Sequence, residues 1–411
     1  MVQMEGFWEL HMTSHHRLAV VSTHPIQYHA PWFRGLAAHP DLDIHVYFCH
    51  KATPREQARA GFGVEFDWDV DLLAGYPYSF LQNVANPAGH GRFSGFDTPE
   101  IGKIISEGEF DAVLVNGWNY KSAWQAIWAA WRSDVKVFAR GDSHLHTHRN
   151  VSKRALKWLV YRRFIPRFDA CLAVGQWSRE YFLHYGARPE RIFSVPHVVD
   201  FPPIGNDAGD VRRRFRESSG LKADTLTFMF CGKFIPKKRP VDFVAAVTKA
   251  AEARAAIQGL MVGDGPLRGA CEQLVQATGA PIRFAGFLNQ SSIREAYLAC
   301  DALVLPSDGG ETWGLVVNEA MSCGRPCIVS DHVGCGPDMI QPWVTGLRFP
   351  VGDVESLAAA MNQFDSDPAR FAYMSKMARA TAEKCSVTSA VEGVLLSLNA
   401  TVAAKEAVCV P

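Results

Sequence analysis

The chain has 411 residues, 48% of them hydrophobic and 20% charged, with a formal net charge of zero. That balance is typical of a soluble globular protein, provides no bulk field to attract nucleic acid, and makes two domains the expectation at this length. No apolar run reaches about 18 residues, so no membrane-spanning helix is expected.

Residues 1–16 lack a signal-peptide pattern and read as a loose extension. A first, acceptor-side domain is expected over residues 17–199. Arg17–Ser22 is a branched apolar run that predicts a buried strand. It leads into a polar loop with His24, Gln27, Tyr28 and His29, then a helix over Trp32–Ala38 and a strand over Ile44–Phe48. Ala52–Phe96 is long, aromatic and without a regular period, which suits either an acceptor loop or a set of short elements. Ala112–Val115 is a strand ending at Asn116, and Lys121–Trp131 is a helix. Val135–Ala139 is a strand that delivers Arg140 and Asp142 to the end of the sheet.

Lys153–Phe168 is basic and aromatic, with no acid before Asp169. Its apolar and basic residues interleave, which favours a helix packed on the sheet with a basic outer face. The second reading is peripheral contact with an anionic membrane. Ala170–Val174 and Arg191–Val195 complete the strands, with a helix over Arg179–Tyr185 between them.

Residues 200–224 open with DFPPIGNDA and read as a linker. The same grammar restarts over residues 225–384. Strands are expected at Thr225–Cys231, Ile257–Val262, Ile282–Ala285, Ala302–Pro306 and Pro326–Ser330. Helices are expected at Pro240–Ala253, Leu267–Thr278, Ile293–Ala299, Gly314–Cys323, Val354–Phe364 and Pro368–Lys384. Residues 385–411 form a tail whose helix, Val387–Leu398, is expected to cross back to the first domain. Alternation of this kind predicts an α/β protein with two Rossmann-like, doubly wound domains facing a central cleft.

Three constellations carry chemistry. The turn Gly232-Lys233-Phe234-Ile235-Pro236-Lys237-Lys238-Arg239 follows a strand, precedes a helix and holds four cations without an acid. Cations and helix-start amides at the end of a sheet can hold a diphosphate. The turn Gly263-Asp264-Gly265-Pro266 allows close backbone approach to a ligand, but Arg268 stands where a dinucleotide fingerprint needs its third glycine. Glu311 and Glu319 flank the start of a helix. Eight positions apart, they suit the hydroxyls of a sugar and a ribose better than an acid/base pair across one bond. No metal site is expected. Cys323, Cys327, Cys335 and His332 fit no zinc spacing, and the ten cysteines, mostly in apolar runs, suggest reduced thiols in a cytoplasmic protein.

These residues resemble the retaining glycosyltransferases of family 4, which have the GT-B fold. The resemblance rests on Glu311-Thr-Trp-Gly-Leu-Val-Val-Asn-Glu319-Ala-Met, on Gly324, Pro326, Ile328, Ser330 and Gly346, on Phe284-Ala-Gly286-Phe287, and on Pro306-Ser307. Gly232, Lys233 and Lys238 fall where the family has its basic turn. The match is strongest over residues 225–365.

The resemblance implies that Lys233 and Lys238 hold the diphosphate of a nucleotide-sugar, Glu319 the ribose and Glu311 the transferred sugar. It further implies donor contacts from Gly232, Gly263, Gly265, Phe287 and the amides of Thr312, Trp313, Gly314 and Leu315. No cofactor or bound metal is implied, only the nucleotide-sugar as co-substrate. Lys233 stands in place of an arginine. The first-domain glycine pair and the histidine after a central strand are replaced by His24–His29 and by Arg140–His144. His24, Gln27, His29, Asn116, Arg140 and Asp142 are the acceptor-side candidates, and Glu311, Lys233, Lys238 and Asp142 the catalytic set. The acceptor expected is a saccharide, a lipid-linked saccharide or a small molecule, in polysaccharide or glycoconjugate synthesis. The alternatives are another GT-B activity, such as a sugar-nucleotide epimerase or phosphorylase, or a non-catalytic nucleotide-sugar-binding protein.

Overall fold

The computed structural model describes residues 15–58, 61, 63–147, 150–254, 256–364 and 368–402. The expected N-terminal extension lies outside the described residues up to residue 14. The first sheet contains β1 (His16–Ser22), β2 (Leu42–Phe48), β3 (Tyr78–Phe80), β4 (Ala112–Asn116), β5 (Lys136–Gly141), β6 (Ala170–Ala173) and β7 (Ile192–Ser194). The second contains β8 (Leu226–Cys231), β9 (Ile257–Val262), β10 (Ile282–Gly286), β11 (Ala302–Leu305), β12 (Cys327–Ser330) and β13 (Gly346–Phe349).

Every pair of neighbouring strands is parallel. The strand orders are β3-β2-β1-β4-β5-β6-β7 and β10-β9-β8-β11-β12-β13. Helices cover both faces, so the middles of the central strands are apolar, and Leu18, Ala19 and Val20 are wholly buried. Strand order reverses at β1/β4 and again at β8/β11. Ligands in open α/β sheets collect at the carboxyl ends of strands beside such switch points. The loops at these carboxyl ends, those that leave β1, β5, β7, β8, β9, β10 and β11, line the cleft.

Within residues 200–224 the chain forms a helix, Ala208–Ser218, packed on the helix Gln290–Ala299. Its Arg212 and Arg216 grip Asp301 at 2.7 and 2.8 Å, while the Thr227 amide donates to the same carboxylate at 2.8 Å. The carboxylate thus ties this helix to the start of β8. The last helix, Val387–Thr401, lies against the helix Ala30–Ala37 and the strands β6 and β7. Its Ala390, Val394 and Leu398 are wholly buried among Leu18, Val20 and Phe33.

Some elements differ from the sequence expectation. Among its described residues the stretch Ala52–Phe96 contains one short strand, β3, the helical turn Pro54–Gln57 and the 3-10 turn Phe93–Gly95, and is otherwise mostly irregular. The helix Glu100–Glu107 and the edge strand β13 were not anticipated. The first carries Gly102 in its middle, and β13 spans only four residues, so both signals are weak. The largest difference concerns the basic segment. A helix forms over Val151–Phe164, but it is not packed on the sheet, because only Phe164 is buried.

Candidate functional site

A cavity of about 600 Å³ lies between the two sheets. From the second domain it is walled by the turn after β8, the turn after β9, and the loop and helix after β11. The first two turns touch. A methyl group on Gly263 would lie 2.0 Å from the Gly232 carbonyl oxygen, and the backbone at Gly263 has φ +119°. Only glycine fits there, and the close approach brings Lys233 up to the cavity. Phe234, wholly buried, roots the turn in the core. Gly265 does not line the cavity. It packs behind, where a side chain would meet the Phe234 backbone at 2.9 Å.

The helix Leu315–Ser322 begins at Gly314, which has φ +100° and lies against Leu305. Thr312, Trp313, Gly314 and Leu315 all line the cavity, so the helix-start amides face it. Glu311 and Lys238 form an ion pair at the base of this wall, and the Ser307 hydroxyl donates to Glu311 at 3.3 Å. Burial pushes the Glu311 carboxyl up, but Lys238 and Lys237 outweigh it and hold the group below its ordinary value. Glu319 lies one helical turn deeper and accepts from the Tyr297 hydroxyl at 2.6 Å. Burial raises its pKa to about 7, against the opposing pull of Tyr297 and Lys238. Burial and then the neighbouring Lys237 and Lys238 lower the Lys233 ammonium to about 8. Arg239, the last cation of the turn, pairs with Asp242 at 2.6 Å.

The first domain brings His24, Gln27, Tyr28, Asp142 and His197 to the same cavity. Asp142 accepts from the Thr312 hydroxyl at 2.7 Å, a hydrogen bond between the domains, and lies 3.8 Å from His197 Nε2. Burial opposes the Asp142 charge, but His197, Thr312 and Arg140 together hold it well below the ordinary carboxylate value. Gln27 lines the cavity, and its side-chain oxygen is buried without a hydrogen-bond partner among the described residues. Burial, with His90 and His50 nearby, lowers His24 to about 4 and keeps it neutral.

His29, Asn116 and Arg140 line an adjoining chamber of about 250 Å³ that shares Tyr28, Asp142 and His197 with the main cavity. There the Arg140 guanidinium donates to Asn116 at 3.3 Å and to the Pro196 carbonyl at 2.9 Å, and it lies 4.7 Å over Trp32. Asn116 in turn bonds His29 at 3.1 Å. This chain of buried polar groups backs Asp142 and does not itself enter the larger cavity.

Phe287 sits at the far end of the cavity with Trp68, and Phe66 packs on Phe287 at 4.3 Å. The segment carrying Phe66 and Trp68 belongs to the first domain yet binds the second. The Asn289 amide donates to the Asp67 carbonyl at 2.8 Å, and the Ser291 hydroxyl bonds Asp69. Part of the irregular Ala52–Phe96 stretch is thus an interdomain strap.

His197, Tyr28, Tyr297 and Ser307 also line or support the site, though the sequence pattern assigns none of them a role. For His197 a signal was available, because it follows the end of β7 just as Asn116 and Arg140 sit at the ends of their strands.

Two parallel doubly wound sheets facing a cleft, with the site at their carboxyl edges, define the GT-B class. The overall fold is that of HepE from Anabaena, solved with UDP and glucose, at TM-score 0.68 and 17% identity, covering 94% of this chain and 100% of that one. Sucrose-phosphate synthase from Thermosynechococcus elongatus gives TM-score 0.66 at 18% identity, covering 95% and 100%.

The sequence matches Glycosyltransferase Family 4 over residues 34–201 and Glycosyl transferases group 1 over residues 211–381. The chain belongs to this family of retaining glycosyltransferases. Among curated relatives, it is 38% identical over 245 residues to the sulfoquinovosyl transferase SQD2 of Arabidopsis thaliana, covering 54% of this chain and 46% of that protein. It is 26% identical over 223 residues to the D-inositol 3-phosphate glycosyltransferase of Segniliparus rotundus, covering 53% and 49%. The chain spans about half the length of these curated relatives.

Proposed function

We propose that this chain moves a sugar from a nucleotide-diphosphate donor to a saccharide, lipid-linked or small-molecule acceptor, with retention at the anomeric carbon. The observation that carries this reading is the meeting of Lys233, Lys238, Glu311 and Glu319 on one wall of a cavity whose other wall presents an ionised Asp142. Lys233, Lys238 and the amides near Gly314 neutralise the diphosphate as it gains charge on leaving. Glu311, kept ionised by its lysine, accepts hydrogen bonds from hydroxyls of the transferred sugar. Glu319 does the same for the ribose. Phe287 and Trp68 mark the end that takes the base. Asp142 faces the reacting sugar from the acceptor side, where an anion can orient an acceptor hydroxyl or offset positive charge at the anomeric carbon.

Relatives named for sulfoquinovosyl transfer, for D-inositol 3-phosphate and for a GDP-mannose-dependent phosphatidylinositol dimannoside transfer support a nucleotide-sugar donor with a polyol-phosphate or lipid-linked acceptor. Solved relatives holding UDP or UDP-glucose support a uridine donor. A lipid-linked acceptor would place the protein at a membrane surface.

The pH dependence tests the site assignment. In the free protein Glu319 is a neutral acid below about 7 and a carboxylate above it. Lys233 carries its charge below about 8 and loses it above. The donor kcat/KM, which reports groups of the free enzyme, is expected to rise with pH through about 7 and to fall above about 8. Glu319→Gln should remove the acid limb and lower the plateau. An acid limb unchanged in that variant would contradict the role given to Glu319.

A further inference from the structure

The helix Val151–Phe164 meets the core at its C-terminal end, through Tyr161 and Phe164, and its earlier turns are exposed. Its Leu156, Trp158, Leu159 and Val160 are exposed, and so is Val151, by 79%. The Lys157 ammonium lies over the rings of Tyr161, Tyr181 and Tyr185 at 4.8, 4.7 and 5.6 Å, which fixes the helix against its neighbour Gln176–His184. On one flank the apolar surface continues across exposed Phe93 and Trp128 over a groove of about 600 Å³. Arg167 lies 3.8 Å over Trp131 in that groove. An exposed apolar face this large marks a contact surface in a soluble protein.

The charge on this face is of one sign. Lys153–Phe168 carries six cations and no acid. The first acid beyond it, Asp169, turns inward, accepting from the Val137 amide at 2.9 Å and pairing with Lys136. The whole chain has a formal net charge of zero, so the positive field is local to this surface.

We propose that this face docks on an anionic lipid surface. Tryptophan, leucine and valine side chains suit the boundary between headgroups and acyl chains. Lysine and arginine on the same helix have stems long enough to reach the phosphates. A second copy of the chain is the poorer occupant, since a two-fold contact sets the same cations against each other. The placement also has a use. The chain leaves the cavity at Asp142 and enters this helix at Val151, and His144 and Leu145 line a groove shared with Arg154 and Trp158. Docking here brings the acceptor side of the cavity beside the lipid. The inference stands on the surface alone and does not depend on which sugar is moved.

The test is co-sedimentation of the full chain with vesicles of phosphatidylcholine alone or mixed with phosphatidylglycerol. Binding should require the anionic lipid and fall with added salt. The combined variant Lys153→Gln, Arg154→Gln, Arg163→Gln should bind anionic vesicles on the order of 100-fold more weakly. Leu156→Ser with Leu159→Ser should also weaken binding, with thermal melting unchanged because both positions are exposed. Equal binding to both vesicle types would overturn the proposal. So would an absence of binding to either, or a homodimer that the two serine substitutions dissolve.

Discussion

Lys238→Ala is expected to cut sugar transfer by about 1,000-fold, because it removes a cation from beside the leaving diphosphate. A second consequence follows from its pairing with Glu311. Both side chains are largely buried, at 13% and 10% exposure, so the substitution leaves a carboxylate without its cation. Stranding a buried charge of this kind costs roughly 3 kcal/mol of stability. The two effects separate in the double variant Lys238→Ala, Glu311→Gln. With no charge left to strand, the double variant should regain most of the lost stability, measured by denaturant unfolding, while transfer stays lost. Recovery of turnover along with stability would show that Lys238 serves the fold alone.

Asp142→Asn is expected to lower kcat by about 100-fold with little change in donor affinity. Asp142 belongs to the first domain, and His197, Thr312 and Arg140 around it outweigh the opposing effect of burial on its charge. Four contacts, from Arg140 to Asn116, Pro196, Val195 and His197, hold that arginine behind it. So much supporting structure around one anion at a cleft wall points to a charge needed there. Asparagine keeps the shape and can still bond Thr312, so the variant tests charge and not closure. Thr312→Val tests closure, since it deletes only the 2.7 Å bond between the domains, at about 1 kcal/mol. Stopped-flow and steady-state kinetics on the pair distinguish the two roles. A loss in Asp142→Asn confined to donor KM would contradict the assignment.

Much of the second domain was legible because its signals are local. A strand, a basic glycine turn and a proline-started helix occupy residues 226–253 without a break. The Glu311 to Glu319 stretch likewise holds its loop, helix start and both carboxylates within nine positions. The groups that tune these residues were not legible, because they arrive from far along the chain. Tyr297 is 22 residues from Glu319, and Thr312 is 170 residues from Asp142. Gly265 shows the converse: its turn resembles a ligand loop, yet the crowding it relieves comes from the neighbouring turn at Phe234. The helix Val151–Phe164 was misjudged for a third reason. Mixed apolar and basic residues look the same in sequence whether or not a sheet covers them. The strap from Phe66 to Asp69 lies in a stretch without periodicity, so nothing in its pattern announced a partner in the other domain.

The central claim is that the cleft holds a nucleotide-diphosphate sugar through Lys233, Lys238 and Glu319. Isothermal titration of the full chain with a panel of nucleotide-diphosphate sugars tests it most directly. One donor is expected to bind, and the combined Lys233→Ala, Lys238→Ala variant should weaken that binding by about 100-fold or more while remaining folded. Glu319→Ala should weaken it as well. No binding from any nucleotide-sugar, or binding unchanged in the double lysine variant, would contradict the account.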